Sequence, residues 1–210
     1  MRTFTPRVLV IAILAATTMV FAAPEGSRAA AAPVAFKLAP WPQAAHSPSF
    51  RLRDADGAPR TLQDYRGKVV VVFFGFLRCP GLCSAEMHKL TVVMKQLGER
   101  AAHVQVLFIT LDPQHDSPKL LKSYLRAFDP RFIGLTGTTA QINQATSSFQ
   151  VQYTRVPQGA DYTIAHSTAT LIIDASGRLR LVSAADSPVA DLVHDMAILL
   201  GEGSGAPKAN

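Results

Sequence analysis

The 210-residue chain holds two cysteines, Cys79 and Cys83, in the segment Cys79-Pro80-Gly81-Leu82-Cys83. A separation of four puts both thiols on one side of a helical turn or a tight loop. Two chemistries fit that spacing. The Cα atoms fall within the ~4.4–6.8 Å that a disulfide needs, or the two thiolates clasp one soft metal ion. A purely structural cross-link is the weaker reading, because a ring of about five residues does little to restrict the unfolded chain. Dithiol redox enzymes usually carry C-x-x-C. The extra residue here widens the bite, which suits a metal ion better than a fast dithiol switch.

The surrounding elements decide what the pair can reach. Val69 to Phe76 is a continuous apolar, largely β-branched and aromatic run, the pattern of a central strand buried on both faces, and the cysteines follow it directly. From Ser84 to Gly98, Met87, Leu90, Val93, Met94 and Leu97 recur at three- and four-residue steps, which predicts a helix with Cys83 at its N-terminus. A helix N-terminus favours the thiolate that metal binding and redox exchange both use. A second strand from Val104 to Leu111 runs into Asp112-Pro113, and Asp116-Ser117-Pro118 offers a cap and a first-turn proline for a helix from Lys119 to Phe128. Beyond a strand at Phe132 to Leu135 and a short helix near Thr139 to Phe149, the runs Thr168 to Ile173 and Arg178 to Val182 read as a hairpin, and Pro188 to Leu200 as a closing helix. A strand-like Ser49 to Arg53 and a turn at Asp56-Gly57 precede all of these. This order is that of an α/β, thioredoxin-like fold, a central mixed sheet flanked by helices.

In such a sheet the loop entering the hairpin passes beside the active-site loop, and that loop carries His166. Alone, a histidine beside a strand is usually a packed or surface residue. Two thiolates and one imidazole make a low-coordinate site matched to Cu(I) and tolerable for Cu(II). A closed structural zinc site wants a fourth ligand, and the sequence marks none. Met87 and Met94 have the spacing of core residues rather than of ligands. His88, His103 and His194 are scattered, and His115, on the Asp112 loop, reads as a surface residue; Asp112 is suited to fixing its own loop.

At the N-terminus, Arg2 and Arg7 precede an uncharged stretch from Val8 to Ala23, sixteen residues long, between the lengths of a signal h-region and of a membrane span. Residues 1–23 therefore read as an export signal, with cleavage after Ala22 or Ala23, or as a membrane anchor. Either leaves the domain in a periplasm or an equivalent non-cytoplasmic compartment. Residues 24–47, with Pro24, Pro33, Pro40 and Pro42, read as a tether, 48–200 as the folded domain and 201–210 as a loose tail. The net charge of +6 falls to +4 without Arg2 and Arg7, and no basic run is interleaved with aromatics, which argues against nucleic acid. An acidic protein partner or an anionic membrane surface remains compatible with it.

From about Phe50 to Leu200 the sequence resembles the Sco/SenC family of copper-binding cytochrome c oxidase assembly proteins. The resemblance lies in Phe74 to Cys83 (Phe-Gly-Phe-Leu-Arg-Cys-Pro-Gly-Leu-Cys), Thr110 to Pro118, Phe132 to Gly137, and Ile164-Ala165-His166-Ser167. It implies a copper site at Cys79, Cys83 and His166, taking Cu(I) and also Cu(II), and anchoring by one N-terminal helix. It further implies a metallochaperone delivering copper to the binuclear copper A site of an oxidase. The partners implied are the copper-receiving subunit of a haem-copper oxidase, other copper chaperones and a thiol reductant. Two other roles fit the same residues: a thiol:disulfide oxidoreductase that uses Cys79 and Cys83 to reduce the recipient's cysteines, and a copper or redox sensor. A peroxidase fits less well, since Val72 and Phe76 stand where a peroxiredoxin has its Pro and Thr. Family motifs commonly read C-P-D-V-C-P and D-H-S; Gly81, Ser84 and Ala165 replace the first acid, the second proline and the second acid. Negative charge beside the ligands is thereby reduced, which favours Cu(I) over Cu(II), and Gly81→Asp or Ala165→Asp is expected to move the balance back.

Overall fold

The computed structural model describes residues 35–43 and 46–203; the expected leader at 1–23 and most of the expected tail lie outside them. Among the described residues ten strands occur in chain order: β1 Ala39–Pro40, β2 Arg51–Asp54, β3 Pro59–Thr61, β4 Val69–Gly75, β5 Val104–Thr110, β6 Ile133–Thr136, β7 Tyr153–Gln158, β8 Asp161–His166, β9 Thr170–Ile173 and β10 Leu179–Ser183. The helices are α1 Leu82–Leu97, α2 Pro118–Arg126, α3 Thr139–Ser148 and α4 Val189–Gly203. Eight strands form one sheet in the order β1-β10-β9-β4-β5-β6-β2-β3, while β7 and β8 pair only with each other. β4, β5 and β6 are parallel and the remaining pairs antiparallel, so the sheet is mixed, as expected.

The apolar run of β4 is buried at every position because successive side chains enter opposite layers. Val69, Val71 and Phe73 join Met87, Leu90, Met94, Leu121, Leu192 and Met196 on the face covered by α1, α2 and α4. Val70, Val72, Phe74 and Phe76 join Leu62, Ile142, Phe149 and Ile164 on the other. Met87 and Met94 are core residues, as their spacing predicts. Ser117 caps α2 through its hydroxyl, with Pro118 in the first turn. Asp116, expected to share that cap, is instead buried and accepts hydrogen bonds from Leu77 N at 3.1 Å and Thr110 Oγ1 at 2.6 Å.

Two expectations are corrected at the domain's ends. The proposed tether 24–47 includes residues that belong to the fold: β1 extends the sheet beyond β10, and Leu38 is only 5% exposed. The fully buried carboxylate of Asp195 in α4 accepts the backbone N–H of Lys37 at 2.9 Å and of Leu38 at 2.7 Å. Proline-rich composition conceals this, because the attachment uses backbone donors, which sequence does not display. At the other end α4 continues to Gly203, so residues 201–203, expected in the tail, are helical.

Replacing Asp195 by Ala leaves these donors without their charged acceptor. Asp195→Ala is expected to lower stability by about 1.5–3 kcal/mol. Urea unfolding checks this, and a change under about 0.5 kcal/mol would place the N-terminal strand's anchorage elsewhere.

Candidate metal centre

The two cysteines occupy the junction between β4 and α1. Leaving β4, the chain turns so that Cys79 N donates to Phe76 O at 3.2 Å and Gly81 N to Cys79 O at 2.9 Å. Gly81 is the N-cap of α1 at φ +90°, a conformation that disfavours residues with a Cβ. Its carbonyl accepts from Ala85 N at 3.0 Å and Ser84 Oγ at 2.8 Å, which starts the helix at Leu82 and places Cys83 within the first turn. Cys83 is 1% exposed and belongs to the core, whereas Cys79 is half-buried; both are free thiols. Gly75 makes room for the inner thiol. A Cβ there would lie 2.9 Å from Cys83 Sγ, 2.8 Å from Phe73 Cε1 and 3.1 Å from Phe108 Cε2.

His166 arrives from the other layer. It is the last residue of β8, in a β7–β8 hairpin that pairs Tyr153 with His166 and Gln158 with Asp161. Its imidazole stands edge-on to Phe73 and Phe76, with centroids 6.3 and 5.9 Å away. Nδ1 lies 2.7 Å from the carbonyl oxygen of Ser167. A carbonyl only accepts, so Nδ1 carries the proton and Nε2 presents its lone pair. Burial pulls the His166 pKa below its ordinary value, against a smaller opposing effect of the Ser167 hydrogen bond, and this keeps the ring neutral and able to ligate.

Cys79, Cys83 and His166 each offer a ligand atom, all within 4.8 Å of one another. The structure therefore brings together the three residues singled out from sequence. A helix N-terminus was expected to ease ionisation of the thiols. At Cys83 the opposite holds: burial, reinforced by a hydrogen bond with Cys79, pushes the thiol pKa up strongly. A soft cation is what would make a thiolate tolerable in that position. Of the other histidines, His88 packs against Phe128 and His194 meets Asp195, away from this cluster.

Sequence reading missed the hairpin and the polar residues it brings to the site. Gly159, at φ +61° in the turn between Gln158 and Asp161, with Tyr, Thr and Val on either side, was the available signal. Pro157 within the first strand obscured it. Asp161 and Tyr162 from β8 join Arg78, Asp112 and His115 in one cluster beside the ligands, so His115 has polar partners on its loop but is not in the ligand set.

Comparison with known proteins points the same way. A family profile described as SCO1/SenC matches residues 39–201. An SCO2-like protein of Rickettsia felis is 38% identical over 132 residues, covering 61% of this chain and 64% of its own length. The human mitochondrial protein described as an SCO2 homolog is 39% identical over 132 residues, covering 61% of this chain and 50% of its own. The match thus spans between half and two thirds of the length of these relatives. Among solved structures, Bradyrhizobium japonicum ScoI with copper bound superposes with a TM-score of 0.68 at 30% identity, covering 73% of this chain and 99% of that one. Since the matched region runs from β1 into α4 and includes both cysteines and His166, this thioredoxin-like chain belongs to the SCO1/SenC family.

Proposed function

We propose that this protein is a copper metallochaperone, holding one Cu(I) on Cys79, Cys83 and His166 and passing it by ligand exchange to the binuclear copper A site of a cytochrome c oxidase subunit. The carrying observation is the convergence of two sulfurs and one imidazole nitrogen within 4.8 Å. Two soft thiolates with one borderline nitrogen match Cu(I). Ligand exchange needs a route in, and two of the three residues are only half-buried, with Leu82 between the cysteines 58% exposed. The relative with copper bound and the family resemblance support the same reading. The proposed location is outside the cytoplasm, with residues 8–23 as leader or anchor; among the described residues no helix is long and apolar enough to cross a membrane.

A second reading rests on the unequal burial of the cysteines. Half-buried Cys79 can attack a partner's disulfide, forming a mixed disulfide and releasing one partner thiolate. Cys83 then displaces the second, leaving the partner reduced and Cys79–Cys83 oxidised. The raised pKa of Cys83 makes it a poor resolving thiolate, which favours the metal reading.

Anaerobic Cu(I) titration separates the two. The reduced protein is expected to bind one Cu(I) per chain, the oxidised protein far less, and either cysteine variant to lose more affinity than His166→Ala. Equal binding by oxidised and reduced protein would contradict the assignment. Rapid disulfide reduction by samples whose copper binding ignores His166→Ala would favour the reductase.

The residues replacing the family's acids make a further test, for which the structure selects Ala165. Aspartate at Gly81 would be strained at φ +90°, whereas Ala165 is exposed and adjoins a ligand. Ala165→Asp is expected to raise the ratio of Cu(II) to Cu(I) affinity by about threefold to tenfold, the scale of one added charge in a largely aqueous dielectric. Matched titrations in both oxidation states decide it, and an unchanged ratio would mean that this position does not tune the metal.

A further inference from the structure

The β7–β8 hairpin shares no ladder with the eight-stranded sheet, yet it carries the third ligand. Side chains must therefore hold it in place. Tyr162, Ile164 and His166 alternate along β8 and so share one face of the strand. Ile164, 6% exposed, packs into the core beneath that face. At the far end, Tyr162 reaches the Asp112 loop: its hydroxyl donates to Asp112 Oδ1 at 2.6 Å.

Asp112 is fully buried and accepts from more than one segment. Its Oδ2 lies 3.3 Å from Nη2 of Arg78, the residue immediately before Cys79, and 2.9 Å from His115 Nδ1. Arg78 also bonds through Nη1 to Asp161, at the start of β8. The Tyr162 ring lies against two guanidinium groups, with Arg155 Cζ 4.7 Å and Arg78 Cζ 5.5 Å from its centroid. One carboxylate thus links the residue preceding the first thiol to the strand that ends in the imidazole.

We propose that Arg78, Asp112 and Tyr162 form a clasp that fixes β8 over the cysteine loop, and that they are positioning residues for His166. This rests on the copper reading of the three ligands. The clasp touches no ligand atom; it sets the distance between two elements that the backbone leaves unconnected. The carboxylate at its centre is fully buried and charged, so the Tyr162 hydroxyl and the Arg78 guanidinium each bond to it with charge assistance, and replacing either removes one such bond across the gap. Without it, the face of β8 that carries His166 is held by apolar packing alone, of Ile164 and the Tyr162 ring against the core and of the His166 ring against Phe73 and Phe76.

The test uses Tyr162→Phe, which removes a single oxygen and keeps the ring, and Arg78→Met, which keeps much of the stem and removes the guanidinium. In copper-free protein, amides of residues 153–166 are expected to exchange with solvent faster in both variants. In Cu(I) titrations against a competing chelator, each variant is expected to bind one ion with affinity lowered about tenfold or more, the usual scale for losing a group that orients a ligand. Nitrogen hyperfine coupling in the Cu(II) spectrum is expected to weaken in parallel. Placed in a His166→Ala background, the same substitutions are expected to change affinity by no more than about twofold, since residues acting through one ligand are not additive. Wild-type affinity and spectra in both variants, or an equal loss with and without His166, would overturn the clasp while leaving the copper site intact. Copper binding by the wild type that ignores His166→Ala would overturn the three-ligand reading, and the clasp with it.

Discussion

The burial of the Cys83 thiol is the constraint on which the site depends. It lies in the first turn of α1, against the backbone of Gly75, in the apolar cluster that contains Phe73, Met87 and Leu90. In that setting a bare thiolate is costly, and the protonated thiol is the stable form without a counter-charge. A soft cation changes the balance, because it supplies positive charge at the sulfur and replaces the proton. The junction of β4 and α1 that closes one layer of the domain also sets the position of the inner thiol of the candidate site.

The ligands differ in how they are held. Cys79 and Cys83 sit on a loop and helix continuous with the central strand, and Cys83 is part of the core. His166 comes from a hairpin outside the sheet's hydrogen-bond ladder, oriented by the Ser167 carbonyl and by two phenylalanine edges. On the proposed chaperone reading, such a division would suit transfer by ligand exchange, the two sulfurs retaining the ion while the nitrogen, carried by a hairpin outside the sheet, gives way to an incoming ligand. The exposed Leu82 side chain between the cysteines leaves the same end of the domain open to a partner.

Much of this was legible in the residues. The apolar run of β4 and the three- and four-residue period of α1 fix the strand–helix junction, and with it the place of both cysteines, because burial on two faces and on one face leave different patterns. The element order then placed His166 near them, and the three ligand atoms do converge. The rest was hidden for physical reasons. Asp195 binds backbone N–H groups of Lys37 and Leu38, and backbone donors look alike in every sequence. The β7–β8 hairpin is mostly exposed along β7 and interrupted by Pro157, so alternation is weak. The pKa of Cys83 reflects a competition between helix N-terminus and burial, and only the packing around Gly75 shows burial winning.

On the proposed reading, Cys79, Cys83 and His166 bind one ion through two sulfurs and one nitrogen. X-ray absorption at the copper edge of the reduced, Cu(I)-loaded protein tests this most directly. The expected result is a three-coordinate ion with two sulfur donors and one imidazole nitrogen, whose outer-shell ring scattering disappears in His166→Ala. A two-sulfur ion with no imidazole scattering in the wild type, or a multi-copper cluster with copper–copper scattering, would contradict it.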